Sequence, residues 1–206
     1  MRLLVVSSIN ATLLHLYQVK SIRWAAIFLA VWFLPVLSSL ALAGTFVNTA
    51  GSDDGTAISG YDTVAFFTAK RALQGKPGFS AEWAGAKWLF VSAENLALFK
   101  AGPEQYAPQY GGHCAWCVSE NCICGRPVNG AFEVIEGKLY LFPRGNKGNY
   151  FGTKNAWWST GGGPARRIPN SDKHWPELKA QLEAQGDNAK GARPIAGPGA
   201  GMGALP

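Results

Sequence analysis

Two segments of the chain, FSAEWAGAKWLFV and AFEVIEGKLYLF, each read as a strand, a short turn and a second strand. In the first, Phe79, Ala81 and Trp83 alternate before Ala84-Gly85, and Trp88 and Phe90 alternate after it. In the second, Phe132, Val134, Leu139 and Leu141 flank Glu136-Gly137. Period-two apolar runs interrupted by such turns specify hairpins. Between them, Ser92 is placed to cap a helix over AENLALFKAG, where Ala93, Leu96 and Phe99 recur at three- and four-residue spacing until Gly102-Pro103 stops it. This helix is expected to lie on the first hairpin. Upstream, Asp62 in SGYDTVAFF is placed to cap a short helix through the free N–H groups of its first turn, with Val64, Phe66 and Phe67 facing a core. Beyond Phe142 the pattern turns helical and glycine-broken, ending in HWPELKAQLEA with Trp175, Leu178 and Leu182 on one side and His174 at the helix start. Strands and helices do not alternate regularly, and no internal repeat is visible. The fold class expected is therefore α+β, a small single domain with two β-hairpins packed against short helices.

The two ends of the chain are set apart. From Trp24 to Leu42 the sequence WAAIFLAVWFLPVLSSLAL is uncharged, follows Lys20 and Arg23, and leads into Ala41-Leu42-Ala43-Gly44. A basic flank, an apolar run and a small-x-small site predict a secretory signal peptide over residues 1–43, cleaved after Ala43, with a periplasmic or secreted product. The alternative is a membrane anchor formed by residues 24–42, a length close to the roughly 20 residues a spanning helix needs. The part ahead of Trp24 is long for a leader, and VKSIRWAAIF, starting at Val19, would make a normal n-region, so a natural start downstream of Met1 is expected. At the other end, residues 186–206 are rich in Gly, Ala and Pro without apolar periodicity, which predicts a disordered tail. The domain proper is then 44–185. The chain has 19 basic and 13 acidic residues, but Arg2, Lys20 and Arg23 belong to the leader, leaving 16 against 13. No basic run interleaves with aromatics, so nucleic acid is not an expected partner. A membrane partner is expected only if the leader stays attached, and no protein partner is legible.

In order along the chain, GYDTVAFF, FSAEWAGAKWLFVSAENLALF, GPEQYAPQYGGHCA, VIEGKLYLF and HWPEL resemble the stand-alone YHS-domain proteins, over roughly residues 56–180. Tyr110, Gly111, Gly112, Cys114 and Ala115 match that family's central motif, in which an aromatic often holds the position of His113. Gly60, Tyr61 and Asp62 match the opening motif, where Thr63 stands in place of a common proline. Cys117, Cys122 and Cys124 depart from the common pattern. The resemblance implies an exported bacterial protein from a group of small cysteine-bearing modules for which metal binding has been proposed. Some stand-alone relatives are described as selenoprotein candidates, which implies thiol-type redox chemistry.

All four cysteines lie in GGHCAWCVSENCIC, residues 111–124, spaced C-x2-C-x4-C-x-C. A helix starting near His113 would set Cys114 and Cys117 three apart on one face and His113 and Cys117 four apart on an adjoining one. An extended Asn121–Pro127 would point Cys122 and Cys124 to one side. Three chemistries fit this pattern. The first is a soft-metal site in which His113, Cys114, Cys117, Cys122 and Cys124 supply sulfur and imidazole to a copper or zinc ion. The tight spacing fits Cu(I) better than a zinc ribbon. The second is redox, with Cys114 attacking and Cys117 resolving. The third is plain disulfides, since an exported protein meets oxidising conditions and the cysteine count is even. A Cys122–Cys124 bridge is disfavoured by near-neighbour geometry.

Nothing else competes with this segment. His15 falls within the leader, and Trp83, Trp88, Trp157, Trp158 and Trp175 are expected mostly in the core. GTKNAWWSTGGGP lacks the lysine-serine ending of a phosphate loop. No Ser/His/Asp set stands at a recognisable spacing, and no catalytic residue is assigned.

Overall fold

A computed structural model of the chain describes residues 44–128, 130–142, 152–159, 161–185 and 195–196, all belonging to one unit, Ala43–Pro206. The first hairpin forms where the alternation places it. Strand β1 (Lys76–Trp83) pairs antiparallel with β2 (Ala86–Phe90), in the register Trp83↔Ala86, Glu82↔Lys87, Ala81↔Trp88 and Ser80↔Leu89. The turn residues Ala84 and Gly85 both take positive φ, the twist that suits a two-residue hairpin. Ala86, Trp88 and Phe90 are buried, while Lys87 and Leu89 between them are less so. Helix α1 (Ala65–Thr68) precedes this hairpin, and α2 (Ala93–Ala101) follows it, capped by the Ser92 side chain, which accepts from the Asn95 amide. Phe99 from α2 sits against Trp88 and Phe90 with ring centroids 5.3 and 5.0 Å away. The helix thus lies on the hairpin as its spacing predicts.

Asp62 does more than cap one helix. Its Oδ1 accepts from the amides of Val64 and Ala65, and its Oδ2 accepts from the Val91 amide and the Asn95 side chain. A fully buried carboxylate is tolerable only when its lone pairs are satisfied. Here four donors from the start of α1, the end of β2 and the first turn of α2 converge on it.

After the single turn of α3 (Pro103–Tyr106) comes helix α4 (Ala115–Ser119), then the two-residue strand β3 (Cys122–Ile123). The second hairpin, β4 (Phe132–Ile135) with β5 (Lys138–Leu141), pairs Phe132↔Leu141 through Ile135↔Lys138 around Glu136-Gly137. β5 is buried on both faces. Leu139 and Leu141 join a core built from Ile58, Phe66, Trp88, Phe90 and Phe99, whereas Tyr140 joins a second core with Tyr110, Val118, Trp157 and Leu178. The run Leu139–Phe142 is apolar throughout, the pattern of a strand covered on both sides, and hairpin periodicity alone understates it. Trp157, on α5 (Thr153–Ser159), is fully buried, while its neighbour Trp158 is 53% exposed.

Helix α6 (Gly163–Ala184) begins well before HWPELKAQLEA, so His174 is a mid-helix residue and not a helix-start cap. Pro169 and Pro176 lie inside it, each removing a backbone donor at a cost of about 3 kcal/mol. Contacts to α4 offset that cost. Arg167 donates to the Ser119 hydroxyl (2.9 Å) and to the Glu120 carboxylate (2.7 Å), the Ser171 hydroxyl donates to the Ala115 carbonyl, and His174 Nδ1 lies 3.1 Å from the Val118 carbonyl. Residues 1–43, where a signal peptide is expected, lie outside the described residues, as do residues 186–206 except for β6 (Ile195–Ala196), which pairs antiparallel with β3. Among the described residues no helix is long and apolar enough to cross a membrane.

Candidate functional site: a trio of cysteine sulfurs

The cysteine segment is held by two left-handed turns that meet face to face. Ile58, Ser59 and Gly60 form one, and Tyr110, Gly111 and Gly112 form the other, all with positive φ. Glycine is needed in the second on two counts. A Cβ on Gly111 would stand 2.3 Å from the Phe46 carbonyl oxygen, and one on Gly112 would stand 2.5 Å from the Ile58 side chain. Asn48 brackets both turns. Its carbonyl accepts from the Ile58 amide, its amide donates to the Gly111 carbonyl, and its side-chain amide donates to the carbonyls of Gly112 and Arg126. One buried residue thereby fixes both ends of the cysteine segment.

Between those ends the chain makes one short helix and reverses. Cys114 stands immediately before α4, and Cys117 lies within it. Asn121, at φ 58°, turns the chain back, a conformation asparagine tolerates better than most residues. This returns Cys124 to Cys117, with Cα atoms 6.4 Å apart and the two sulfurs joined in a disulfide. Cys114 and Cys122 are free thiols. The sulfurs of Cys114, Cys117 and Cys124 lie within 4.8 Å of one another. Cys114 and Cys117 are buried, at 2% and 1% exposure, and Cys124 is half-buried.

No protein-family model matches the chain, and no curated protein or solved structure proves similar to it. The site is therefore read from its own geometry.

Of the five residues singled out from the sequence, three are brought together and two are not. Cys122 points elsewhere: its sulfur donates to the Cys117 carbonyl at 3.3 Å. His113 is buried with its ring against Trp175, centroids 6.3 Å apart, and is not one of the clustered groups. The helix starts two residues later than expected, so the four-residue relation between His113 and Cys117 does not arise. The CxxC spacing likewise misassigns the bonded pair, since Cys117 is joined to Cys124 rather than to Cys114. One bridge is present, not two.

Electrostatics keep these groups neutral. Burial pushes the Cys114 thiol up, against the opposing pull of the Cys117 amide, the Thr153 hydroxyl, the Trp116 amide and the charge of Arg126. None of these closes a side-chain cap on α4. An activated thiolate at a helix start is therefore not what the resting site presents. Cys122 is pushed up to about 11, first by burial and then by the charges of Cys114 and Glu120. Burial lowers His113 to about 4, with the Phe46 carbonyl acting in the opposite sense. Its Nε2 is buried with no hydrogen-bond partner among the described residues. Asn48, Thr153 and Arg126 carry no sequence signal that sets them apart, because their roles arise from contacts distant in sequence.

Chemically, the trio can act in two states. With the bond closed there is one free thiol beside a disulfide. With it open there are three thiols, and a soft ion with metal–sulfur distances near 2.3 Å needs its sulfurs about 4 Å apart. The clustering within 4.8 Å is compatible with that spacing once Cys117 and Cys124 separate.

Proposed function

We propose that this is an exported YHS-type protein that binds a soft metal ion, Cu(I) in preference to Zn(II), through the thiolates of Cys114, Cys117 and Cys124. The observation that carries the reading is the convergence of these three sulfurs within 4.8 Å, with Cys114 and Cys117 buried and Cys124 half-buried. Thiolates select soft ions. Zinc in proteins is almost always four-coordinate, and among the described residues no fourth His, Cys, Asp or Glu joins the group. Three sulfurs suffice for Cu(I). Binding must displace protons from thiols, and burial pushes that of Cys114 up, so the apparent affinity falls as pH drops.

The test is anaerobic reduction followed by Cu(I) competition against a chromophoric chelator, with metal analysis and thiol counting on the same sample. One Cu(I) per chain, protecting three thiols from alkylation, supports the reading. No uptake by the fully reduced protein overturns it. Export is supported by the basic flank, apolar run and Ala41-Leu42-Ala43 pattern. Its test is the intact mass of the extracellular or periplasmic form, which should begin at Gly44. A membrane-bound species retaining Trp24 to Leu42 would favour the anchor.

A further inference from the structure

The Cys117–Cys124 bond and the metal site use the same sulfurs, and this overlap carries a consequence beyond metal binding. We infer that the bond is a redox gate on the site: the protein releases its soft ion when a low-molecular-weight disulfide oxidises Cys117 and Cys124, and can reload only after a dithiol or two monothiols reduce them. The inference rests on the metal reading above and adds to it a second class of reactant, small disulfides and thiols.

The geometry assigns the direction of approach. Cys114 and Cys117 are buried, whereas Cys124 is half-buried, so the outer end of the bond is Cys124. In closing, the Cys124 thiolate attacks one sulfur of the small disulfide and expels one small thiolate. The Cys117 thiolate then attacks the Cys124 sulfur and expels the second. Two protein thiolates lose two electrons, and one small disulfide becomes two thiols. The copper stays Cu(I) throughout and is left with a single thiolate, that of Cys114, in place of three. In opening, an incoming thiolate attacks the Cys124 sulfur, Cys117 leaves as a thiolate, and a second thiol resolves the mixed disulfide. Thiol–disulfide exchange of this kind needs no other oxidant or reductant.

Cys114 is the sulfur that makes the trio a gate and not only a staple. It lies within 4.8 Å of both bonded sulfurs but is not itself bonded, so it remains in place in either state. Coupling between two reactions at one site is reciprocal. Whatever factor separates the Cu(I) affinities of the open and closed forms must also shift the glutathione equilibrium of the bond when copper is present.

The experiment uses the full-length chain under anaerobic conditions, prepared with Cys117–Cys124 either intact or reduced, and Cu(I) buffered by a chromophoric chelator. The expected result is an affinity about 100-fold weaker or more in the closed form. Oxidised glutathione added to the loaded protein should release about one Cu(I) and two equivalents of reduced glutathione for each Cys117–Cys124 bond formed, the bond being located by peptide mapping. Equal affinity of the open and closed forms overturns the gate while leaving the metal reading standing. Failure of both forms to bind overturns the metal reading and the gate with it. Cys114→Ser keeps both bonded cysteines but leaves the open form only two sulfurs for the ion. The free Cu(I) needed to shift its glutathione equilibrium should rise by at least about tenfold over the parent's. An unchanged copper requirement would overturn the role given to the third sulfur.

Discussion

Cys122 and Cys114 are both free thiols, yet the account gives them opposite weights. Cys122 lies outside the trio, its sulfur held by the Cys117 carbonyl, so Cys122→Ser should leave Cu(I) affinity of the reduced protein within about threefold. Cys114→Ser should weaken it by at least about tenfold, the scale of losing one ligand's share. Chelator competition on the two variants separates them. Spacing alone credits Cys122 and His113 equally with the other three, because it cannot show that Asn121 reverses the chain or that the helix starts at Ala115. His113 has a different consequence, for stability. Burial lowers it from 6.5 to about 4, so below pH 6.5 the unfolded chain binds a proton that the folded ring refuses. Stability should be flat above pH 6.5 and fall by about 3 kcal/mol on going down to pH 4. Denaturant titrations of the oxidised, metal-free protein at the two pH values measure this. His113→Phe should abolish that fall, and an unchanged slope in the variant would assign the dependence to other groups. Asp54, whose carboxyl is held below its usual range by hydrogen bonds from Ser52, Thr56 and Lys87, acts in the same direction only below its ordinary value of 3.8.

At the scale of elements, Phe99 and Leu96 of α2 were equivalent in the apolar spacing but not in the fold. Phe99 is 1% exposed among Trp83, Trp88 and Phe90, whereas Leu96 is only partly buried at the edge of the same core. Phe99→Ala should therefore cost about 3–5 kcal/mol, and Leu96→Ala clearly less, by urea titration. Equal and small losses would mean that the helix is not seated on the hairpin. Asn48→Ala tests the bracket between the two left-handed turns. It takes their donor from the carbonyls of Gly112 and Arg126, at about 1–3 kcal/mol for the buried Gly112 group and less for the partly buried Arg126 group. Both hairpins, the Asp62 and Ser92 caps and the seating of α2 were legible because each depends on neighbours a few residues away. The length of α6 was not legible, since two internal prolines argue for a break and the contacts that outweigh them, those of Arg167, Ser171 and His174 with α4 among them, come from residues distant in the chain. The burial of the Tyr140 side of β5 was legible only in the unbroken apolar run Leu139–Phe142, not in the hairpin alternation, and the residues that cover it come from helices distant in the chain.

For the whole molecule, fold and function meet at the Cys117–Cys124 bond, seven residues apart in sequence. A loop that short restricts the unfolded chain by about 2.5 kcal/mol, so reduction should lower unfolding stability by roughly that amount. Saturating Cu(I) should restore it by mass action, in proportion to the ratio of free metal to its dissociation constant. Thermal unfolding of oxidised, reduced and reduced Cu(I)-loaded protein would show the order. A reduced protein as stable with copper as without it would contradict binding to the native state. The central claim is that Cys114, Cys117 and Cys124 together hold the ion, and X-ray absorption at the copper edge of reduced, loaded protein tests it most directly. The account predicts about three sulfur neighbours near 2.3 Å and no nitrogen, with loss of sulfur neighbours in Cys114→Ser. A spectrum dominated by nitrogen, or one unchanged in Cys114→Ser, would contradict it.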